Sequence, residues 1–410
     1  MIVVGGGASG LTAAILCARE GMNVTLLEQN SKIGKKILIS GNGKCNISNR
    51  CISANRFHSQ NPEFVETVLK ENDFPVVEKF FTSIGLELTE GKEGQIFPMS
   101  LQAGSVVDLL TYEAEKAGVE IYCDCAVTSI GKEKDLFVLE TTQGTKRCQK
   151  LLIASGSPAA PQLGGSNAGY AFAAKMGHSL IAHHPSLVQL CSDDGWVKRC
   201  AGVKIAGIAK LYANGQYITE RKGDLLFTSY GISGLAILDI SREVSLRLAQ
   251  FDYCELSLDL MPGLSKEKLT NLLMKRVQQQ SEKPIALWLQ GILNKKLLFI
   301  ILEQSKCKAL TEQDLNRKEI GKLVYTIKNL KLSISDTRGF KGAEVVAGGV
   351  DTTEIDPETM ESKIIPGLYF AGEILDVDGD RGGFNFHFAW VSGMRAGKAM
   401  AKPKTKNQKL

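Results

Sequence analysis

The chain has 410 residues, 44% hydrophobic and 23% charged. That is the balance of a globular protein of two to three domains, and it excludes a disordered or collagen-like chain. The net charge of +5, from 49 basic and 44 acidic residues, permits anionic substrates without demanding nucleic acid. Ten cysteines are scattered with no C-x-x-C pair, which reads as reduced core thiols, with no disulfide framework and no metal site expected. The most apolar stretch, Ile285 to Leu302, is interrupted by Gln290, Asn294, Lys295 and Lys296. No membrane partner is expected, and with no basic leader at Met1 the expected location is cytoplasmic.

In chain order, Met1–Val4 reads as a buried strand, Gly5–Gly10 as a glycine turn, Leu11–Glu20 as a helix and Asn23–Glu28 as a second strand. Ile33–Asn49 reads as a long loop. Helices are expected over Asn61–Gly85, broken near Pro75, and over Gly104–Gly118. Strands follow at Glu120–Cys125, Val127–Gly131, Leu136–Thr142 and Leu151–Ala154. After Pro185 the alternation becomes β-rich, with strands at Gly207–Leu211, Tyr217–Glu220 and Glu255–Leu260. Ser265–Leu323 reads as short helices. Strands return at Ala343–Val350 and Gly367–Ala371, and a last helix covers Asn385–Met400. The lysines at 402, 404, 406 and 409 form a short basic tail that is expected to be solvated, with an RNA backbone contact as the sharper reading.

Gly5-Gly6-Gly7-Ala8-Ser9-Gly10 satisfies G-x-G-x-x-G between a strand and a helix, and Glu28 closes the next strand 23 residues after Gly5. Gly5 permits the tight turn, Gly7 lets the backbone approach a pyrophosphate, and Gly10 lets helix and strand pack closely. The phosphates belong at the helix N-terminus, beside Ala8 and Ser9. Glu28 suits the adenosine ribose hydroxyls and repels a 2′-phosphate. The fingerprint alone does not separate FAD from NAD. A second module does: the strand Leu368–Ala371 with Gly372 and Glu373, then Gly382, Gly383, Phe384 and Asn385 opening a helix with small residues at Ala389, Gly393, Ala396 and Gly397. A long dinucleotide needs both ends. The distal acid suits a ribityl chain, and the helix N-terminus suits the pyrimidine edge of a flavin.

These two modules are joined by the loop Lys35–Asn49, with its Ser40-Gly41-Asn42-Gly43-Lys44-Cys45-Asn46 core, and by the segments Ala154–Ser157, Phe227–Gly234 and Gly348–Val350. Together they make the sequence resemble the BaiN/YhiN-type family of bacterial FAD-binding oxidoreductases, which includes aminoacetone-oxidase-like members. The resemblance implies an α/β architecture: a two-segment Rossmann-like FAD-binding domain with an inserted β-barrel and a small helical cap. The segments expected are 1–185 and 331–402 for FAD, 186–262 for the barrel, 263–330 for the cap and 403–410 for the tail. It implies further cofactor contacts at Gln29, Lys36, Ser40, Gly41, Gly43, Asn46, Val127, Ala154, Ser155, Gly156 and Asp376. The family usually carries His where this chain has Ser229, and Pro where it has Leu235. Both departures put the substrate in doubt rather than the flavin.

Three residues are candidates for chemistry. Cys45, beside Lys44, is a candidate proton donor with a thiol pKa lowered by the cation, or else a small packed residue. Lys44 is read as a counter-charge for the pyrophosphate or a reduced flavin. His387, in the first turn of the last helix, is read as facing the flavin edge or as capping an interface. The expected reaction is reduction of a conjugated C=C–C=O, with NADH or NADPH as transient donor, since no second G-x-G-x-x-G follows a strand. A 3-oxo-Δ4,6 bile acid and a uridine of ribosomal RNA are the two substrates the resemblance offers. An amine oxidase producing peroxide is the reading that reverses the flow.

Overall fold

Five three-residue strands pair as one parallel sheet, in the order Leu368–Phe370, Leu151–Ile153, Ile2–Val4, Thr25–Leu27 and Glu120–Tyr122. Ile2–Val4, Leu151–Ile153 and Leu368–Phe370 are wholly buried, as strands covered on both faces must be. The chain is seen in a computed structural model that describes residues 1–279 and 282–402. The basic tail from 403 onward therefore lies outside the described residues.

The described chain forms two units, residues 1–183 with 345–402 and residues 184–344. In the first, helix Ala8–Arg19 and the closing helix Phe384–Ala401 cross at close range. Glycine makes that approach possible. A Cβ at Gly393 would stand 2.4 Å from the Ser9 carbonyl oxygen, and one at Gly397 would stand 2.8 Å from that of Ala13. A three-stranded antiparallel sheet, Val127–Glu133, Leu136–Thr141 and Gly144–Cys148, is appended to this unit. Helices Pro62–Leu69 and Phe74–Ser83 flank the break that Pro75 suggests.

The second unit carries a seven-stranded antiparallel sheet. Its order is Leu330–Ile334, Cys254–Asp259, Lys204–Ala213, Gln216–Phe227, Gly231–Ser233, Leu190–Cys191 and Asp336–Thr337. The two end strands are separated by Ser335 alone, so the sheet curls until its ends meet along one stretch of chain. Helices Lys266–Val277, Ile285–Leu289, Lys295–Ser305 and Arg317–Lys328 share a single core with it, through residues such as Leu256, Leu258, Leu269 and Leu323.

Four sequence expectations are corrected by the structure. Residues 331–344 continue the second unit's sheet instead of reopening the first domain, and the helices expected as a separate cap share the sheet's core. The region read as β-rich also holds the 15-residue helix Leu235–Ala249, which buries Ala236, Ile237, Ile240 and Val244. The stretch 33–49, read as a loop, begins as a helix at Lys35 that breaks at Ser40–Asn42, where Gly41 and Asn42 take positive φ. Leu235 proves to be the first residue of its helix. That is a position where proline is at home, so the exchange with the family's Pro concerns helix initiation.

Candidate cofactor and active site

The glycine turn has the geometry its spacing demands. Gly5 has φ +108°, and a Cβ there would lie 2.4 Å from the carbonyl oxygen of Ala154. At Gly10 a Cβ would lie 2.0 Å from the Gly5 carbonyl oxygen, so strand and helix touch backbone to backbone. Gly7 is different. It is the N-cap in extended conformation, and no heavy atom stands within 4 Å of where its Cβ would be. The first-turn N–H groups of Ala8, Ser9 and Gly10 have no acceptor inside their helix. Gly7 is thus an open cradle under a positive helix end, which suits a pyrophosphate.

Glu28 is buried at the end of its strand. One carboxylate oxygen accepts from Gly6 N–H at 2.8 Å, and the other accepts from Asn30 N–H at 2.8 Å and Asn30 Nδ2 at 2.6 Å. The singly bonded oxygen keeps accepting capacity for a ribose hydroxyl. Neighbouring Gln29 is exposed and donates to the Gly164 carbonyl. Cys125 N–H donates to the Glu28 carbonyl, which brings the start of the Val127 strand beside this end of the site.

The distal module meets the fingerprint directly. Ser9 Oγ donates to the Ala371 carbonyl, and a Cβ at Gly372 would strike that hydroxyl at 2.5 Å. Lys36 and Glu373 form an ion pair at 3.0 Å, and the second Glu373 oxygen accepts from Val346 N–H. Asp376 is buried and accepts from Gln60 N–H at 2.8 Å. Asn385 spends its amide on Gly379, accepting from its N–H and donating to its carbonyl, so it fastens the turn before the last helix. Phe384 is buried, edge-on to Phe57, with the Arg56 guanidinium 4.3 Å from its ring centre.

Among the described residues of this unit, four buried side-chain atoms have no hydrogen-bond partner: Thr352 Oγ1, Asn46 Oδ1, Ser155 Oγ and Tyr170 Oη, the last three on the segments expected at the cofactor or beside them. A Cβ at Gly383 would lie 2.9 Å from Asn46 Oδ1, which places that acceptor at the N-terminus of the closing helix. Tyr170 sits in the field of Glu373 and Asp376, and burial with these charges pushes its hydroxyl above the ordinary value. Unpaired buried polar groups are rare and costly. Together with the cradle at Gly7 they fit a long dinucleotide running from Glu28 past Gly7 to Gly383. The residues present therefore fit FAD.

Two of the residues expected to carry chemistry are corrected. Cys45 is fully buried, and burial outweighs its Ser40 contact and pushes the thiol up to about 12. Lys44 is exposed while Cys45 turns inward at φ +59°, so the adjacent cation does not produce a reactive thiolate. His387 is fully buried. Its Nε2 donates to the Asn72 carbonyl at 2.9 Å and its Nδ1 lies 2.9 Å from Ser48 Oγ, so both ring nitrogens serve the fold. Burial pushes its pKa down to about 4.

That shift predicts a pH dependence. The neutral imidazole is favoured in the fold, so its contribution is intact above about 6.5, the unfolded value, and is lost as pH falls towards 4. The full effect is about 3 kcal/mol, from about 2.5 pH units at 1.36 kcal/mol each. Urea melts of wild type and His387→Gln between pH 7 and pH 4 test it. The variant is expected to start less stable and to lose this segment of the acid slope.

The Arg56–Asp380 ion pair at 2.6 Å, which His58 joins at 3.2 Å, left no signal in the sequence, because the partners lie more than 300 residues apart. Although burial works against it, these bonds hold the Asp380 carboxyl below its usual range. Tyr170 was missed as well. It opens a short helix with no flanking signal beyond Gly169, whose missing side chain leaves room for Ser155 Oγ.

The HI0933-like protein Rossmann domain family matches residues 1–399. The chain belongs to this family. Family members are FAD-dependent oxidoreductases of the BaiN/YhiN type. A 3-dehydro-bile acid delta(4,6)-reductase of Clostridium scindens is 36% identical over 403 residues, covering 98% of each chain. A ribosomal RNA dihydrouridine synthase of Escherichia coli is 33% identical over 398 residues, covering 95% of each. Among solved structures, a 3-ketosteroid delta1-dehydrogenase from Sterolibacterium denitrificans in complex with 1,4-androstadiene-3,17-dione aligns with TM-score 0.50 at 12% identity, covering 98% of each chain. That likeness concerns the fold. Among the described residues no helix is long and apolar enough to cross a membrane.

Proposed function

We propose that this family member reduces a polarised C=C–C=O, taking electrons from NADH or NADPH, with a 3-oxo-Δ4,6 bile acid as the leading substrate. The observation that carries the substrate is the full-length similarity to a reductase of that class. Bound FAD supplies hydride transfer between donor and substrate. The protein's part is placement. The Ala8–Gly10 N–H groups hold the pyrophosphate, Glu28 the adenosine ribose, the Lys36–Glu373 pair the ribityl region, and Asn46 with Gly383 the pyrimidine edge. The positive end of the closing helix favours negative charge at that edge. The high pKa of Cys45 keeps its thiol protonated, and its burial keeps it away from solvent.

A second reading, reduction of uridine in ribosomal RNA, is favoured by how charge is distributed. Residues 184–344 carry 24 basic and 17 acidic side chains, a net of +7, while the remainder carries 25 and 27, a net of −2. Product analysis separates the readings. Incubation with NAD(P)H and each substrate is expected to add two hydrogens to the Δ4,6 steroid, read by mass spectrometry. Conversion of uridine alone, in RNA from cells lacking the enzyme, overturns the steroid reading. Peroxide formation without reduction of either overturns both.

A further inference from the structure

One face of the second unit's sheet is paved with tyrosine, and we propose that it docks a single-stranded RNA segment. Strand register puts the residues together. Tyr217 pairs with Tyr212, Tyr212 with Glu255, and Glu255 with Ser333. Cross-strand partners share a face, so these side chains form one row. Tyr253 lies two residues before Glu255 on the same face, and its hydroxyl reaches Ser333 Oγ at 3.1 Å. Lys331, two before Ser333, pairs with Glu255 and holds its ammonium 5.3 Å from the Tyr212 ring centre. Tyr325, on helix Arg317–Lys328, lies near enough to Lys331 to share its field.

The tyrosines are not core residues that happen to reach the surface. Tyr217, Tyr253 and Tyr325 are 53%, 57% and 55% exposed. Leaving that much aromatic surface in water forgoes burial free energy, and a flat, polar-edged ring is a surface on which a base can stack. The phosphates then need cations alongside. Lys322 reaches the Lys306 carbonyl and pairs with Glu319, to which Lys308 N–H also donates, so the backbone at 306–308 is fixed against the helix that carries Lys318, Lys322 and Tyr325 at positions spaced four and three apart on one face. Lys306, Lys308 and Lys318 are exposed. The 68 residues from 263 to 330 hold 13 basic and 6 acidic side chains, a net of +7.

A stacking platform flanked by lysines matches the chemistry of an unpaired strand, whose bases are free to stack and whose phosphates run continuously. An acidic protein would meet the lysines but has no use for a row of rings. The choice of RNA rests on the uridine-reductase reading above. The docking measurement, however, needs no turnover, so either can fail alone.

The test is fluorescence anisotropy of a labelled 12-residue oligouridylate with the flavin-loaded full chain. The wild type is expected to bind with an affinity that falls steeply between 50 and 200 mM salt. Tyr217→Ala with Tyr325→Ala is expected to weaken binding at least tenfold, whereas the corresponding phenylalanine variants keep most of the affinity because the ring is retained. Lys308→Glu with Lys318→Glu is expected to flatten the salt dependence. The flavin band and melting temperature should stay those of wild type, since these side chains are exposed. No binding by the wild type overturns the proposal. So does equal binding by the alanine variants, and so does a dimer by light scattering that Tyr217→Ala with Tyr325→Ala turns into a monomer. Uridine reduction that persists unchanged in the alanine variants would remove the docking face while leaving the catalytic reading intact.

Discussion

Gly7→Val is expected to fold normally and to purify without flavin. The position has extended backbone at φ −87° and no heavy atom within 4 Å of the added Cβ, so the side chain costs the apoprotein little. It fills the space where the pyrophosphate approaches the helix end. A loss of at least about 100-fold in FAD affinity, about 2.7 kcal/mol, is expected. Gly10→Val supplies the contrast. Its Cβ would meet the Gly5 carbonyl oxygen at 2.0 Å, so the helix must leave the strand. Overpacking of this kind costs about 1–3 kcal/mol of stability. Apoprotein melting and fluorescence titration with FAD read the two effects separately. Full flavin occupancy in Gly7→Val would show that the cradle is not the phosphate site.

Glu28→Arg is the second large effect. Three N–H bonds end on this buried carboxylate, and arginine can accept none of them. Each donor left unpaired costs about 1–3 kcal/mol, so the variant loses both stability and flavin. Glu28→Gln is the gentler probe. Its one carbonyl oxygen still accepts from Gly6 or from Asn30 but not from both, because the amide nitrogen that replaces the second oxygen is itself a donor, and the charge that strengthens a ribose hydrogen bond is gone. About a tenfold weaker FAD affinity is expected, near 1.4 kcal/mol, with a stability loss of about 1–3 kcal/mol for the donor left unpaired, smaller than that of the arginine variant. If the glutamine variant bound FAD as wild type does, Glu28 would be a structural acid alone.

Local pattern made the fingerprint legible. A three-residue apolar strand, glycines at fixed offsets and an acid at the next strand end are all properties of short windows, and they place Gly5, Gly7, Gly10 and Glu28 without any tertiary knowledge. The closing helix was legible for the same reason, through small residues spaced four apart at Gly393 and Gly397. Burial and long-range pairing were not. Lys44 and Cys45 are adjacent in sequence yet one faces water and the other the core, and only the positive φ at Cys45 explains it. His387 looks like chemistry in sequence because it follows the second glycine pair. Its partners, Asn72 and Ser48, come from more than 300 residues away. The helix Leu235–Ala249 did carry a signal, with apolar residues at 237, 240 and 244, but strand alternation on both sides obscured it.

The most direct test of the whole account is an anaerobic half-reaction. The flavin-loaded protein is bleached with NADH or NADPH, the excess donor is removed, and a 3-oxo-Δ4,6 steroid or undermodified ribosomal RNA is added without oxygen. One of the two is expected to restore the oxidised flavin band and to be recovered with two added hydrogens. A flavin that neither substrate reoxidises, while air does so rapidly with peroxide, would contradict it.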